Sequence, residues 1–222
     1  MGSPVHRSPL DFRLRLWHPV LVGITPQQFE QMKDRLSGPR RAATPVFSTR
    51  LGAGNHQPVI LGIDPSLRGT GFGVIRVAGP HLQTLALGTI HCPASWEHTR
   101  CLLKIAQTMR EVVNQHRPTV CVVEGLFYAQ NLQTALVMGE ARGAALVAAA
   151  EAGLEIYEIA PRKVKQAVVG YGAAQKTAVA KMVQRLLNLR EPPPPDAADA
   201  LALALAHAQE NGRYRLSAPK KI

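Results

Sequence analysis

From Val59 onward, apolar runs of strand length give way to segments whose apolar residues recur every three or four positions. Three β-rich runs, "VILGID", "GFGVIRVA" and "LQTLALGTIHC", follow one another with turn residues between them, which predicts an antiparallel meander. In "HTRCLLKIAQTMREVVNQH" the positions Leu102, Ile105, Ala106, Met109, Val112 and Val113 share one helical face. "TVCVVEG" reads as a buried strand, and "LQTALVMGEARGAALVAAAEAG" as a long helix with Gly139 and Gly143 four apart, a spacing that suits close approach of another helix. "LEIYEIA" is a further strand. The helical segments "RKVKQAVVG" to "AAQKTAVAKMVQRLLNL" and "PDAADALALALAHAQE" complete the body. Strands followed by alternating helix and strand predict an α/β domain on a mixed sheet.

Upstream the pattern is different. "TPQQFEQMKDRLSG" has Thr25 as N-cap, Pro26 at the first helical position, Gln28 closing a capping box and Gly38 as a stop, so one short helix is expected. "SGPRRAATPVFSTRLGAGNHQP" is rich in Pro, Gly, Ser and Arg without periodicity, which suggests a flexible basic arm, either a solvated linker or a segment that grips DNA. The division that follows is a basic extension over 1–57, a body over 58–210 and a short basic tail over 211–222.

Charge narrows the partners. The 222 residues hold 26 Lys and Arg against 15 Asp and Glu, for a net +11. Residues 1–57 carry 8 basic and 3 acidic side chains, leaving 18 and 12 in the remainder, so both parts are basic and nucleic acid is the expected partner. No apolar run approaches the roughly 20 residues of a spanning helix, since the Ala-rich stretch after Arg142 stops at Glu151; no membrane role is expected. Cys92, Cys101 and Cys121 have neither zinc nor redox spacing, which fits a reduced, cytoplasmic protein. Asp11 and Pro19 interrupt what a secretion signal would keep apolar, although the Arg and Ser content leaves an organelle-targeting reading open.

Two strands end on a carboxylate. Asp64 closes "VILGID" and Glu124 closes "VCVVE"; Asp196 and Asp199, three apart, project from one face of the last helix. Each has a plainer explanation on its own. Asp64 before Pro65 suits a turn, and Asp196 or Asp199 in a first turn suits the helix dipole. Glu124 has no capping duty and a large desolvation cost. Together they make a donor set for divalent cations in phosphodiester cleavage, because hard Mg²⁺ takes oxygen ligands and two ions about 4 Å apart serve the attacking and leaving oxygens.

Four stretches in order, "ILGIDPSLRGTGFGVI", "VVEGLFYAQNLQTALVMGEARGAALVAAA", "VKQAVVGYGAAQKTAVAKMV" and "PDAADALALALAH", resemble the successive motifs of the RuvC family of bacterial crossover junction endodeoxyribonucleases, over about Pro58 to Gln209. The resemblance implies a ribonuclease H-like fold with a five-stranded mixed sheet flanked by helices. It also implies a homodimer that nicks four-way DNA junctions in pairs with Mg²⁺, two ions per site with Mn²⁺ as a substitute, alongside the RuvA and RuvB branch-migration proteins. Asp64, Glu124, Asp196 and Asp199 fall on the family's catalytic, metal-holding acids. Lys165 and Lys176 fall on lysines that contact DNA, Phe127 on an aromatic that stacks on bases, and the helix of Gly139 and Gly143 on the dimer interface.

Ser66 stands where the family usually has glycine, which puts the shape of the first turn in doubt if that position needs positive φ. His207 is left without a role, since one histidine without a spaced partner is more often structural. Three other classes compete: a ribonuclease H-like nuclease acting on RNA or on other branched DNA, a non-catalytic DNA-binding relative, and an actin-like or sugar-kinase ATPase. The last leaves the DxxD helix unexplained and lacks a second phosphate loop.

Overall fold

The computed structural model describes residues 57–79, 81–125, 132–210 and 220–222. The short helix and basic arm expected upstream, and Phe127, lie outside the described residues. The strands are β1 (Val59–Asp64), β2 (Gly69–Ala78), β3 (His81–His91), β4 (Val120–Glu124), β5 (Glu155–Ile159) and β6 (Lys220–Lys221). The helices are α1 (His98–His116), α2 (Leu132–Glu151), α3 (Pro161–Val169), α4 (Lys176–Leu186) and α5 (Pro195–Glu210).

The strand order is β3-β2-β1-β4-β5-β6, with β1, β2 and β3 an antiparallel meander and β1, β4 and β5 parallel. The sheet is therefore mixed, as expected, but has six strands among the described residues rather than five. The extra strand, β6, is antiparallel to β5, with Lys221 opposite Tyr157. It escaped the sequence reading because two lysines show no apolar alternation; what holds them is the open edge of β5 and the Lys221 to Glu155 ion pair at 2.6 Å.

Side-chain alternation sorts the sheet into two faces. On one, Leu61, Ile63, Val74, Cys121 and Val123 pack against α1 and α2 through Ile105, Met109, Ala141 and Ala145. On the other, Ile60, Ile75 and Val122 pack against α3, α4 and α5 through Val164, Val183 and Leu201. Helix α5 is buried on all sides over Ala197 to Ala206 apart from Asp199, which explains its almost unbroken Ala and Leu sequence. Among the described residues, no helix is long and apolar enough to cross a membrane.

Candidate active site

Alternation decides which way the two strand-end acids face. Asp64 shares its parity with Ile60 and Gly62, and Glu124 with Val122, so both belong to the α5 face rather than the α1 and α2 face. The parallel register aligns Ile63 with Val123, which brings the next residues, Asp64 and Glu124, to neighbouring strand ends.

Helix α5 reaches this place because β1 and β2 face it with glycine at three positions. Gly62 and Gly73 are opposite each other across the two strands, and Gly71 is opposite Asp64. A Cβ on Gly62 would overlap the Ala200 carbonyl, one on Gly71 the Asp196 carbonyl, and one on Gly73 would stand 2.6 Å from Leu201 Cγ. The glycines of "GTGFGV" are strand residues at a spacing of two, and they form a seat for the helix. A Cβ on Gly69 would lie 3.0 Å from Asp196 Oδ2, which places that carboxylate over the start of β2.

The first turn shows no strain. Thr70, fully buried, accepts from the Ser66 N–H at 3.2 Å and donates its hydroxyl to the Ser66 carbonyl at 2.5 Å. Ser66 is absent from the positive-φ residues, so a serine here carries no left-handed penalty and the doubt about this turn is removed.

Electrostatics tie the acids together. Burial, then the Glu124 and Asp199 charges, push the Asp64 carboxyl up to about 7, with Asp196 adding to the rise and Lys176 opposing it. Burial also raises Glu124, with Asp199 adding to it, while Lys176, a hydrogen bond from Asp64 and the charge of Lys165 pull it down. Lys176 donates to Asp199 Oδ2 at 2.7 Å. Of the expected site residues, Glu124, Asp196, Asp199 and Lys176 thus act on Asp64, and Lys165 acts on Glu124.

A carboxylate group this desolvated and this crowded calls for cations, and its oxygens are the hard donors Mg²⁺ prefers. Among the described residues, no three acidic, histidine or cysteine side chains already converge on one point as metal ligands. Lys176 provides the positive charge on Asp199 in this arrangement. The fit is one of donor chemistry and backbone placement, with the carboxylate rotamers and Lys176 left to adjust.

One neighbour of Glu124 escaped the sequence reading. Arg142 of α2 is buried and donates to the Glu124 carbonyl oxygen and to Glu158 Oε2, both at 2.5 Å. A charge on the otherwise alanine face of α2 was the available signal. His207, by contrast, packs its ring 4.9 Å from Tyr157 at the far end of α5, and burial lowers its pKa, which fits the structural reading.

The family model for the crossover junction endodeoxyribonuclease RuvC matches residues 60–207. The RuvC of Protochlamydia amoebophila is 47% identical over 156 residues, covering 70% of this chain and 93% of that relative. The RuvC of Akkermansia muciniphila is 48% identical over 148 residues, covering 67% of this chain and 89% of its own. Among solved structures, Thermus thermophilus RuvC in complex with a Holliday junction substrate superposes with a TM-score of 0.68 at 36% identity, covering 75% of this chain and all of that one. The yeast mitochondrial Holliday junction resolvase, at 11% identity and a TM-score of 0.51 over 68% of this chain and 78% of its own, shares the fold.

Proposed function

Since the chain belongs to the RuvC family of crossover junction endodeoxyribonucleases, we propose that it resolves four-way DNA junctions by paired, metal-dependent nicking of opposing strands in recombination and repair. The observation that supports this reading is the mutual influence of Asp64, Glu124 and Asp199, with Asp196 also acting on Asp64, inside the matched region.

In this reading the four acids hold Mg²⁺, two ions per site, with Mn²⁺ able to replace it. Bound there, the ions supply an activated water and neutralise charge on the leaving oxygen. The chain's own contribution is placement. The sheet fixes Asp64 and Glu124, and the glycine seat fixes Asp196 and Asp199 opposite them. Burial and the neighbouring acids hold the Asp64 carboxyl up at about 7, and a cation held there would favour its carboxylate form. Lys176 moves from Asp199 to a backbone phosphate, for which its exposed, compact ammonium is suited, and Lys165 supports it. Phe127 stacks on a base at the crossover, a contact that tolerates sequence.

Two nicks placed symmetrically on one junction require two sites, and a homodimer matches the two-fold symmetry of that substrate. Its contact face is the outer side of α2, where Leu132 and Leu136 are exposed and a Cβ at Gly139 or Gly143 would meet none of the described residues within 4 Å. The protein works in the cytoplasm beside RuvA and RuvB. The deciding experiment compares cleavage of a four-way junction, a linear duplex and an RNA–DNA hybrid, with and without Mg²⁺. Paired cutting of the junction alone, with Mg²⁺, supports the reading; equal cutting of the hybrid or the duplex would move the protein to a general ribonuclease H-like nuclease.

A further inference from the structure

We propose that Arg142 is a positioning residue for Glu124, holding the end of β4 so that the carboxylate meets the other acids; the proposal rests on the reading of Glu124 as a metal-holding acid.

The inward face of α2 is otherwise alanine, through Ala141, Ala145, Ala148 and Ala149. A guanidinium there is a large expense unless every contact it makes is used, and the expected substitution at a packing position is another alanine. Its two partners say what it is used for. The Glu158 carboxylate, pointing to the same face from β5, holds one end. The other end meets the main-chain oxygen of Glu124, not its side chain.

That oxygen has a particular situation. The Gly125 N–H donates to Ile159 O on β5, so the carbonyl of the same planar peptide, that of Glu124, faces the opposite side, toward β1. The registered pairing of β1 with β4 stops at Ile63 and Val123. Arg142 therefore meets the carbonyl where strand partners run out, at the residue whose side chain enters the site. Gly125 leaves room for this arrangement, since a Cβ there would stand 3.3 Å from Glu158 Cγ and Oε1. The strand end is held from β5 on one side and from α2 on the other, which fixes the direction in which Glu124 leaves the sheet.

A plain packing role and a positioning role separate in metal affinity. Taking a positive charge away from an acid cluster should by Coulomb attraction alone strengthen cation binding, whereas releasing the Glu124 main chain should weaken it. The test uses the full chain and the variants Arg142→Gln, Arg142→Lys and Glu158→Gln. Mn²⁺ binding without DNA is followed by the loss of the free-ion paramagnetic resonance signal. Melting temperature, four-way junction affinity in metal-free buffer and single-turnover cleavage against Mg²⁺ concentration are measured alongside.

For Arg142→Gln the expected result is Mn²⁺ binding weakened about 10- to 100-fold, a matching rise in the Mg²⁺ needed for half-maximal cleavage, and junction affinity within about threefold of wild type. Arg142→Lys, able to keep one of the two contacts, should fall between. If Arg142→Gln does not fold, Glu158→Gln carries the same test, since it keeps the shape and removes the charge that holds the guanidinium in place. Folded variants with unchanged or tighter Mn²⁺ binding and only a lower melting temperature would overturn the proposal and leave the nuclease reading standing. A wild-type chain that neither binds Mn²⁺ nor cuts junctions would overturn the metal reading and the proposal with it.

Discussion

A methyl carbon on Gly71 would overlap the main-chain carbonyl oxygen of Asp196. One missing side chain in β2 thus sets how closely the helix bearing two of the acids approaches the strand bearing a third, for Gly71 is also the cross-strand partner of Asp64. Gly71→Ala must push α5 outward, and because the clash is with backbone no side-chain rotation relieves it. The expected outcome is a loss of about 1–3 kcal/mol in stability together with cleavage near background. Gly69→Ala makes a useful contrast: its new methyl would meet the mobile end of Asp196 at 3.0 Å, so it should melt close to wild type while cutting more slowly. Calorimetric melting and single-turnover cleavage of both variants check the pair. A Gly71→Ala protein with wild-type activity would show that the seat does not set the site.

The acids themselves should separate cutting from binding. Replacing Asp64, Glu124, Asp196 or Asp199 by its amide removes a metal donor while leaving the basic surface that holds phosphate. Cleavage should fall about a hundredfold or more, since a bound cation supplies several kcal/mol of charge stabilisation, and junction affinity should stay within a few-fold. Gel-shift and cleavage assays on the same preparations read both quantities.

Asp64→Asn should also stabilise the metal-free protein. The folded carboxyl titrates at about 7 against an ordinary 3.8, so between those values the native state binds more protons than the unfolded chain. Stability contributed by this group is therefore greatest at low pH and is lost as pH rises to about 7. With the charge removed, the Asp64→Asn variant should melt higher than wild type in EDTA at pH 8, by up to about 2 kcal/mol, or roughly 5 °C, and the advantage should shrink toward pH 4. Melting curves at the two pH values decide it.

How much of this was legible follows from the kind of signal each residue leaves. Asp64 and Glu124 stood out because a carboxylate ending a β-branched run contradicts its surroundings, and in the structure the two are joined by a hydrogen bond and both feel the Asp199 charge. The meander, the helices and the mixed sheet follow from periodicity. The glycine seat was harder, because glycine is the ordinary mark of a turn and only its spacing of two from Gly69 to Gly73 shows a strand face left bare for a helix. Arg142 was visible as a charge in an alanine helix, but its partner is a main-chain oxygen, which no sequence displays. β6 needs an open edge on β5 and an acid at Glu155, both tertiary facts.

Protons and cations should compete at the site. Because Asp64 keeps its proton up to about 7, binding Mg²⁺ below that pH displaces it. With one proton released, the Mg²⁺ needed for half-maximal cleavage should rise about tenfold for each unit of pH below 7 and level off above it. Magnesium titrations at pH 6, 7 and 8 test this. Equal half-saturation at pH 6 and pH 8 would remove Asp64 from the ligand set.

Residues 1–57 bring 8 basic and 3 acidic side chains, so their removal takes the net charge from +11 to +6. β1 begins at Val59, and Pro58 O accepts from Val77 N, so a chain starting at Pro58 keeps its sheet contacts. The shortened protein should fold, cut at the wild-type rate when saturated, and lose junction affinity, with a shallower dependence of log affinity on log salt. Equal salt slopes for the two chains would make the extension a bystander, and failure of the shortened chain to fold would end its description as a separate arm.

Paired cutting is most directly tested in mixed dimers. Each chain carries one set of the four acids, so two nicks on one junction need two chains, each with a complete site. The outer side of α2 is the proposed contact, with Leu136 and Leu132 exposed at 60% and 75%, more than buried packing positions would leave, and with no described residue within 4 Å of a Cβ at Gly139 or Gly143. A wild-type chain joined to a Glu124→Gln chain should then cut one strand and stop. On a supercoiled plasmid bearing a cruciform, one nick relaxes the circle and two opposed nicks linearise it. Mixed dimers should therefore accumulate the nicked circle, while wild-type dimers give mostly linear product. Leu136→Asp, which places a charge on the contact face, should shift the protein to monomers that retain metal binding but lose linear product. Mixed dimers that linearise as well as wild type, or a monomer that does so alone, would refute paired sites and leave a nuclease whose two cuts are independent events.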